Sequence, residues 1–202
     1  MTTIPLPPLS SDMQARLETY YSFLLKWQKR INLIAPATVD VAWDRHFTDS
    51  LQLLPDLGNS IQTVVDFGSG AGFPGLALAL ARPDIHIHLI ESDEKKCEFM
   101  RTVSRETHCP VTVHTSRIEA LPPFPADMIT ARALAPLPLL LSYALPFVQL
   151  NPSCRLVFLK GETWAEEVAV SRETYDFTLQ DRPSITHPKA RVLIIQDLFL
   201  RG

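Results

Sequence analysis

The stretch Val64-Val65-Asp66-Phe67-Gly68-Ser69-Gly70-Ala71-Gly72-Phe73-Pro74-Gly75 places four of the chain's seven glycines within eight residues, directly after an apolar run. Glycine has no Cβ, so such a loop can take positive φ and let a ligand approach the main chain. The free N–H groups of the helix that follows face whatever binds there. Pro74 suits the first helical turn, where a missing N–H costs nothing. Gly70, Gly72 and Gly75 satisfy the dinucleotide spacing G-x-G-x-x-G, and Gly68, Gly70 and Gly72 the G-x-G-x-G of S-adenosylmethionine (SAM) enzymes. A purely structural strand-to-helix turn also fits. Asp66 decides between the cofactors: its carboxylate would repel a pyrophosphate but attract the ammonium of a methionine moiety, directly or through water. SAM is therefore favoured over NAD.

Outward from this loop, 202 residues with 46% hydrophobic content describe one globular unit with a sizeable core. The formal charge of −3 gives no general basic field, so any nucleic-acid surface must be local. Cys97, Cys109 and Cys154 are odd in number and far apart, which suits reduced thiols in a cytoplasmic protein rather than a disulfide framework. Met1 to Leu9 lacks the pattern of a signal peptide. The apolar run Ala133 to Leu150 is interrupted by Pro136, Pro138 and Pro146 and is short for a bilayer span. It reads as a buried helix with prolines near its ends.

Residues 1–60 read as a helical extension and 61–202 as the cofactor-binding part, together forming one compact domain. Leu17, Tyr20, Tyr21, Leu24, Trp27 and Ile31 recur at helical spacing and predict one buried face. Lys26, Lys29 and Arg30 ride on that helix, with Arg45 and His46 later; these fit a solvated face or an RNA contact equally well.

From Ile61 strands and helices alternate, predicting an α/β fold with a mostly parallel sheet covered on both faces. Ligands of such sheets sit at the carboxyl ends of the strands. Glu91 ends the second strand, where an acidic side chain accepts hydrogen bonds from ribose hydroxyls. Ile118 and Glu119 follow the third strand and could flank an adenine, and Arg132 ends the fourth beside the same crevice. His86, His88 and His114 could be drawn as a metal site, but no carboxylate or cysteine completes a tetrahedral set, and no metal is expected. Neither the G-x-S-x-G elbow nor the G-x-x-x-x-G-K-[ST] loop occurs in the chain.

Together the motifs resemble one family, the glucose-inhibited division protein B group, also called RsmG. The resemblance runs from Lys26-Trp27-Gln28-Lys29-Arg30-Ile31-Asn32-Leu33 through Arg45-His46-Phe47-Thr48-Asp49-Ser50-Leu51 and the glycine loop. It continues in Glu91-Ser92-Asp93-Glu94-Lys95-Lys96-Cys97-Glu98-Phe99, Ser116-Arg117-Ile118-Glu119, Thr130-Ala131-Arg132-Ala133-Leu134-Ala135-Pro136-Leu137 and Leu159-Lys160-Gly161. It implies a class I SAM-dependent methyltransferase fold, Rossmann-like with an N-terminal helical extension, acting on 16S ribosomal RNA to give N7-methylguanosine and S-adenosylhomocysteine. Family cofactor positions carry over to Gly68, Phe73, Ile118, Glu119 and Arg132, beside Asp66, Gly70, Gly72 and Glu91 from the residue reading. Glu91 stands where Asp is commoner, and Ile34 where Thr is more usual.

N7 of guanine already carries a free lone pair, so attack on a sulfonium methyl needs no base, and alignment in a dry site supplies much of the catalysis. The chain lacks the Asp/Asn-Pro-Pro-aromatic motif of exocyclic amine methylation. It also lacks the Pro-Cys nucleophile of ring-carbon methylation, Cys109-Pro110 having the reverse order. The major groove of A-form RNA is too narrow for an active site, so the target base is expected in a loop or turned out of its stack. Arg45, His46, Arg132 and Lys160 are the candidates for holding RNA or the base, with Arg132 also positioning the reactants. The expected partner is 16S RNA or the small ribosomal subunit, with no membrane or DNA. Two other classes remain open: a non-catalytic SAM-binding assembly factor and an NAD-dependent oxidoreductase.

Overall fold

The computed structural model describes residues 9–202. Helix α1 (Ser11–Gln28) starts at Ser10, whose side chain accepts from the Met13 N–H at 3.2 Å. Leu17, Tyr20 and Leu24 form its buried stripe, while Tyr21, Trp27 and Ile31 are only partly buried. The helix ends three residues before Ile31. Gln28 then takes over as a side-chain splint: its Oε1 accepts from the N–H groups of Leu33 and Ile34, and its Nε2 donates to the Ile34 carbonyl. Residues 29–60 form short turns, among them a π-helical stretch Trp43–Thr48 that runs into the single turn α2 (Asp49–Leu51).

Strand β1 (Thr63–Phe67) leads through the glycine loop into α3 (Gly75–Ala81). Then follow β2 (His86–Glu91), α4 (Glu94–Glu106), β3 (Thr112–Thr115), β4 (Met128–Arg132), α5 (Leu137–Leu150), β5 (Arg155–Lys160), α6 (Trp164–Ser171), β6 (Tyr175–Pro183) and β7 (Arg191–Leu200). The sheet order is β3-β2-β1-β4-β5-β7-β6. The first five strands are mutually parallel, and β7 alone runs against its neighbours.

Both faces are covered. Val64, Ile87 and Leu89 join the core under α1, α3 and α4. Val65, Phe67 and Ile90 turn to the core under α5 and α6. Every residue of α3 is buried, because α1 and α2 lie over the side that would otherwise meet solvent. Pro74 caps α3 from one position ahead of its expected place in the first turn. The run Ala133–Leu150 also differs from expectation: Ala133 is left-handed with φ 51°, α5 begins only at Leu137, and Pro146 lies inside it. No helix among the described residues is long and apolar enough to cross a membrane.

Candidate active site

The glycine loop, the end of β2 and the end of β4 enclose a cavity of about 420 Å³. This is where the direction of a parallel sheet places a ligand. Gly68, Gly70, Phe73, Glu91, Ile118, Glu119, Arg132 and His46 all line it. Gly68, Gly70 and Gly72 have φ of 61°, 57° and 95°, whereas Gly75 is helical. A Cβ on Gly70 would meet nothing closer than the Gly68 carbonyl oxygen at 3.9 Å, so the loop leaves open space there.

Asp66 and Gly72 do not line the cavity. Asp66 shares the inner sheet face with Val64 and is fully buried. Its Oδ2 accepts from the Gly75 N–H at 3.1 Å and its Oδ1 from the Thr130 hydroxyl at 2.8 Å. Burial pushes its pKa up to about 6, against hydrogen bonds that pull it down. The expected attraction for an ammonium is therefore replaced by a bracing role: the carboxylate ties the start of α3 to β1 and β4. Gly72 is required by packing, since its Cβ would lie 2.8 Å from both Leu76 Cβ and Tyr20 Oη. Tyr20 in turn donates to the Ala71 carbonyl, so α1 holds the loop from behind.

Glu91 bridges two segments. Its Oε2 accepts from the Gly70 N–H and its Oε1 from the Asp93 N–H, both at 2.9 Å. Each carboxylate oxygen retains a further lone pair. Asp93 then caps α4 by accepting from the N–H groups of Lys95 and Lys96, and Lys96 lines the cavity.

Arg132 is nearly buried and joins the end of β4 to the helical extension. Its Nη2 donates to His46 Nδ1 at 2.9 Å, its Nη1 to the Arg45 carbonyl at 3.2 Å and to Asp49 Oδ2 at 3.4 Å. Its guanidinium lies 5.2 Å from the Phe73 ring centroid. Arg132 Nε is buried and has no partner. Burial pulls the guanidinium pKa down and Asp49 opposes the shift. Because arginine can only donate, Nδ1 of His46 must accept, which leaves Nε2–H to donate to Thr38 Oγ1 at 2.9 Å. Both imidazole nitrogens are thus engaged within the fold. Burial first, then the charges of Arg132 and Arg45, lower the His46 pKa to about 4.

Arg45 and Lys160 face a second pocket, of about 170 Å³, which shares Arg132 with the first. Lys160 is buried and bound to Glu167 Oε2 at 2.6 Å and the Ala135 carbonyl at 2.9 Å. Although burial pushes Glu167 upward, hydrogen bonds from Lys160, the Leu137 N–H and Thr163 hold its carboxyl below the ordinary value. Lys160 therefore serves as a strut to the start of α5, in contrast to the RNA contact expected of it, while Arg45 remains exposed. His46, expected to hold RNA, is likewise committed to Arg132 and Thr38.

Residue-type reasoning missed Leu33, Ile34, Leu134 and Tyr143 in the cavity wall, and Asp49 behind Arg132. Leu33, Asp49 and Leu134 lie within the family-like segments, which was the available signal. His88 Nδ1 and His114 Nε2 are 2.9 Å apart beside Phe124, whereas His86 turns to Thr112. Among the described residues, no group of three or more His, Cys, Asp or Glu could hold a metal ion.

Solved structures share the fold. The magnesium protoporphyrin IX methyltransferase from Synechocystis, determined with bound SAM, superimposes with a TM-score of 0.57 at 13% identity, covering 97% of this chain and 100% of that one. The O-methyltransferase TomG from Streptomyces achromogenes gives 0.57 at 15% identity, over 95% and 92% of the two chains. Among curated relatives, "Ribosomal RNA small subunit methyltransferase G" of Paramagnetospirillum magneticum is 45% identical over 94% of this chain and 91% of its own. The protein of the same name from Rhodospirillum rubrum is 42% identical over 95% and 94%. A family model described as rRNA small subunit methyltransferase G matches residues 13–193. The chain belongs to this family, GidB.

Proposed function

We propose that this protein transfers the methyl group of SAM to N7 of a guanosine in 16S ribosomal RNA. The observation that carries the reading is the cavity at the ends of β1, β2 and β4, where Glu91, the open side of Gly70 and Arg132 converge. These residues fit the cofactor. The free lone pairs of Glu91 suit ribose hydroxyls, Ile118 and Glu119 offer an apolar face and an acceptor for adenine, and the positive charge of Arg132 on the cavity wall suits a carboxylate.

When bound, SAM would supply a methyl on a sulfonium, whose transfer to N7 would leave the electron pair of the broken S–C bond on sulfur and the positive charge on the purine. No proton has to leave N7. That agrees with His46, whose nitrogens are both committed to Arg132 and Thr38 and so serve no base role. Arg132 and Phe73 position the reactants, their cation–π contact keeping both on the cavity wall. Arg45, exposed at the neighbouring pocket, contacts the RNA backbone. The setting is the cytoplasm, with 16S RNA or the small subunit as partner.

Methylation at N7 makes the nucleotide labile to borohydride followed by aniline, unlike a methylated exocyclic amine or ribose. Purified protein with SAM and 16S RNA or small subunits is expected to yield one cleavage site. Methyl incorporation without cleavage would overturn the N7 assignment, and no incorporation into either would overturn the enzyme reading.

A further inference from the structure

Where the end of α1 meets the start of α4, Lys26, Trp27, Arg30, Ile31, Lys95 and Glu98 enclose a hollow of about 260 Å³. Its floor is apolar, formed by Trp27 and Ile31, and Phe99 holds the indole at 5.6 Å between ring centroids. Its rim sets three cations, Lys26 of α1, Arg30 just past the end of α1 and Lys95 of α4, against one carboxylate. Between Glu18 and Asp40 the chain carries no acidic residue, only Lys26, Lys29 and Arg30. Lys26, Arg30 and Lys95 form no ion pair among the described residues, whereas Arg132, Lys160 and Arg191 are all paired. Lys95 is also the immediate neighbour of Lys96, which lines the main cavity, so one helical turn joins the two places.

We infer that this hollow is a second RNA-binding subsite, in which a nucleobase flanking the methylated one stacks on Trp27 while Lys26, Arg30 and Lys95 hold its phosphates. The inference rests on the RNA methyltransferase reading above. A flat π-face beside converging unpaired cations matches single-stranded nucleic acid, which offers a stacking surface and a negative charge at every residue. Fixing a flanking nucleotide here would hold the strand at a defined distance from the cavity and favour extrusion of the target base.

The test compares wild-type protein with the triple variant Lys26→Ala/Arg30→Ala/Lys95→Ala and with Trp27→Leu and Trp27→Phe. Readouts are methyl transfer from labelled SAM to 16S transcript and to small subunits, filter binding of naked 16S RNA over a salt series, and calorimetric SAM affinity. The triple variant is expected to bind RNA about tenfold more weakly than wild type and to raise KM by about the same factor, with kcat and SAM affinity kept. Its log–log salt slope is expected to shrink by about two, at roughly 0.7 per phosphate contact on a single strand. Trp27→Leu is expected to raise KM about tenfold, and Trp27→Phe to restore most of it. Circular dichroism checks folding, and the surface lysine and arginine changes keep the test decisive should Trp27→Leu unfold. If wild type methylates RNA and the triple variant matches it in KM, binding and salt slope, the subsite is overturned while the enzyme reading stands. A defect on small subunits without loss of naked-RNA binding would mean that the hollow takes a protein, which also overturns it. Failure of wild type to methylate either substrate removes the reading and this inference together.

Discussion

The guanidinium of Arg132 donates from Nη2 to Nδ1 of His46 at 2.9 Å, joining the end of β4 to the π-helical turn of the N-terminal extension. This bond exists only while His46 is neutral. The folded pKa of about 4 lies below the ordinary 6.5, so between those values the unfolded chain binds more protons. The stability contributed by neutral His46 is whole above pH 6.5 and is lost as pH falls towards 4. Asp66 acts in the opposite sense. Its folded pKa of about 6 means a contribution present at pH below 3.8 and lost as pH rises through 6.

His46→Asn, which can present an amide oxygen near the place of Nδ1, is therefore expected to flatten the fall in stability between pH 6.5 and 4. Asp66→Asn is expected to steepen it. Urea midpoints measured across this range check both; parallel profiles for wild type and His46→Asn would remove the imidazole from the pH dependence.

Gly70→Val is expected to abolish SAM binding in a folded protein. Its side chain would enter the open space beside the loop, and a φ of 57° costs a β-branched residue about 1–2 kcal/mol. Gly72→Ala is expected to act the other way round, lowering stability by roughly 1–3 kcal/mol through collision with Leu76 and Tyr20. Calorimetry with SAM and urea unfolding separate the two effects.

Tyr20→Phe deletes the buried hydrogen bond from α1 to the Ala71 carbonyl. Stability is expected to fall by about 1–2 kcal/mol, and SAM affinity to fall with it although Tyr20 is absent from the cavity wall. Unchanged affinity in the destabilised variant would mean that the loop keeps its shape without support from α1.

Arg132→Lys retains a charge but cannot reach His46, the Arg45 carbonyl and Asp49 at once. Turnover at saturating SAM and RNA is expected to drop at least about tenfold, more than the lost SAM affinity accounts for, because a misaligned methyl and nucleophile forfeit proximity. Single-turnover methylation is the measurement, and a loss confined to SAM affinity would limit Arg132 to cofactor binding.

The sequence by itself determined the glycine loop, the alternation of strands and helices, and the acidic and basic residues at strand ends. Each of these rests on local physics: backbone freedom at glycine, hydrophobic periodicity and the rule that parallel sheets bind at their carboxyl edge. Glu91, Ile118, Glu119 and Arg132 consequently reach the cavity named for them. Only the tertiary structure decided which polar groups remain available once the chain is folded. Asp66 and Lys160 look like ligand groups as residue types. The partners that engage them, Gly75 and Thr130 for one and Glu167 and Ala135 for the other, come from different elements and meet only through strand pairing and helix packing. The same holds for Gly72, which Tyr20 claims from 52 residues away in the chain. Side-chain chemistry is local, whereas the pairing of buried polar groups is settled by contacts distant in sequence.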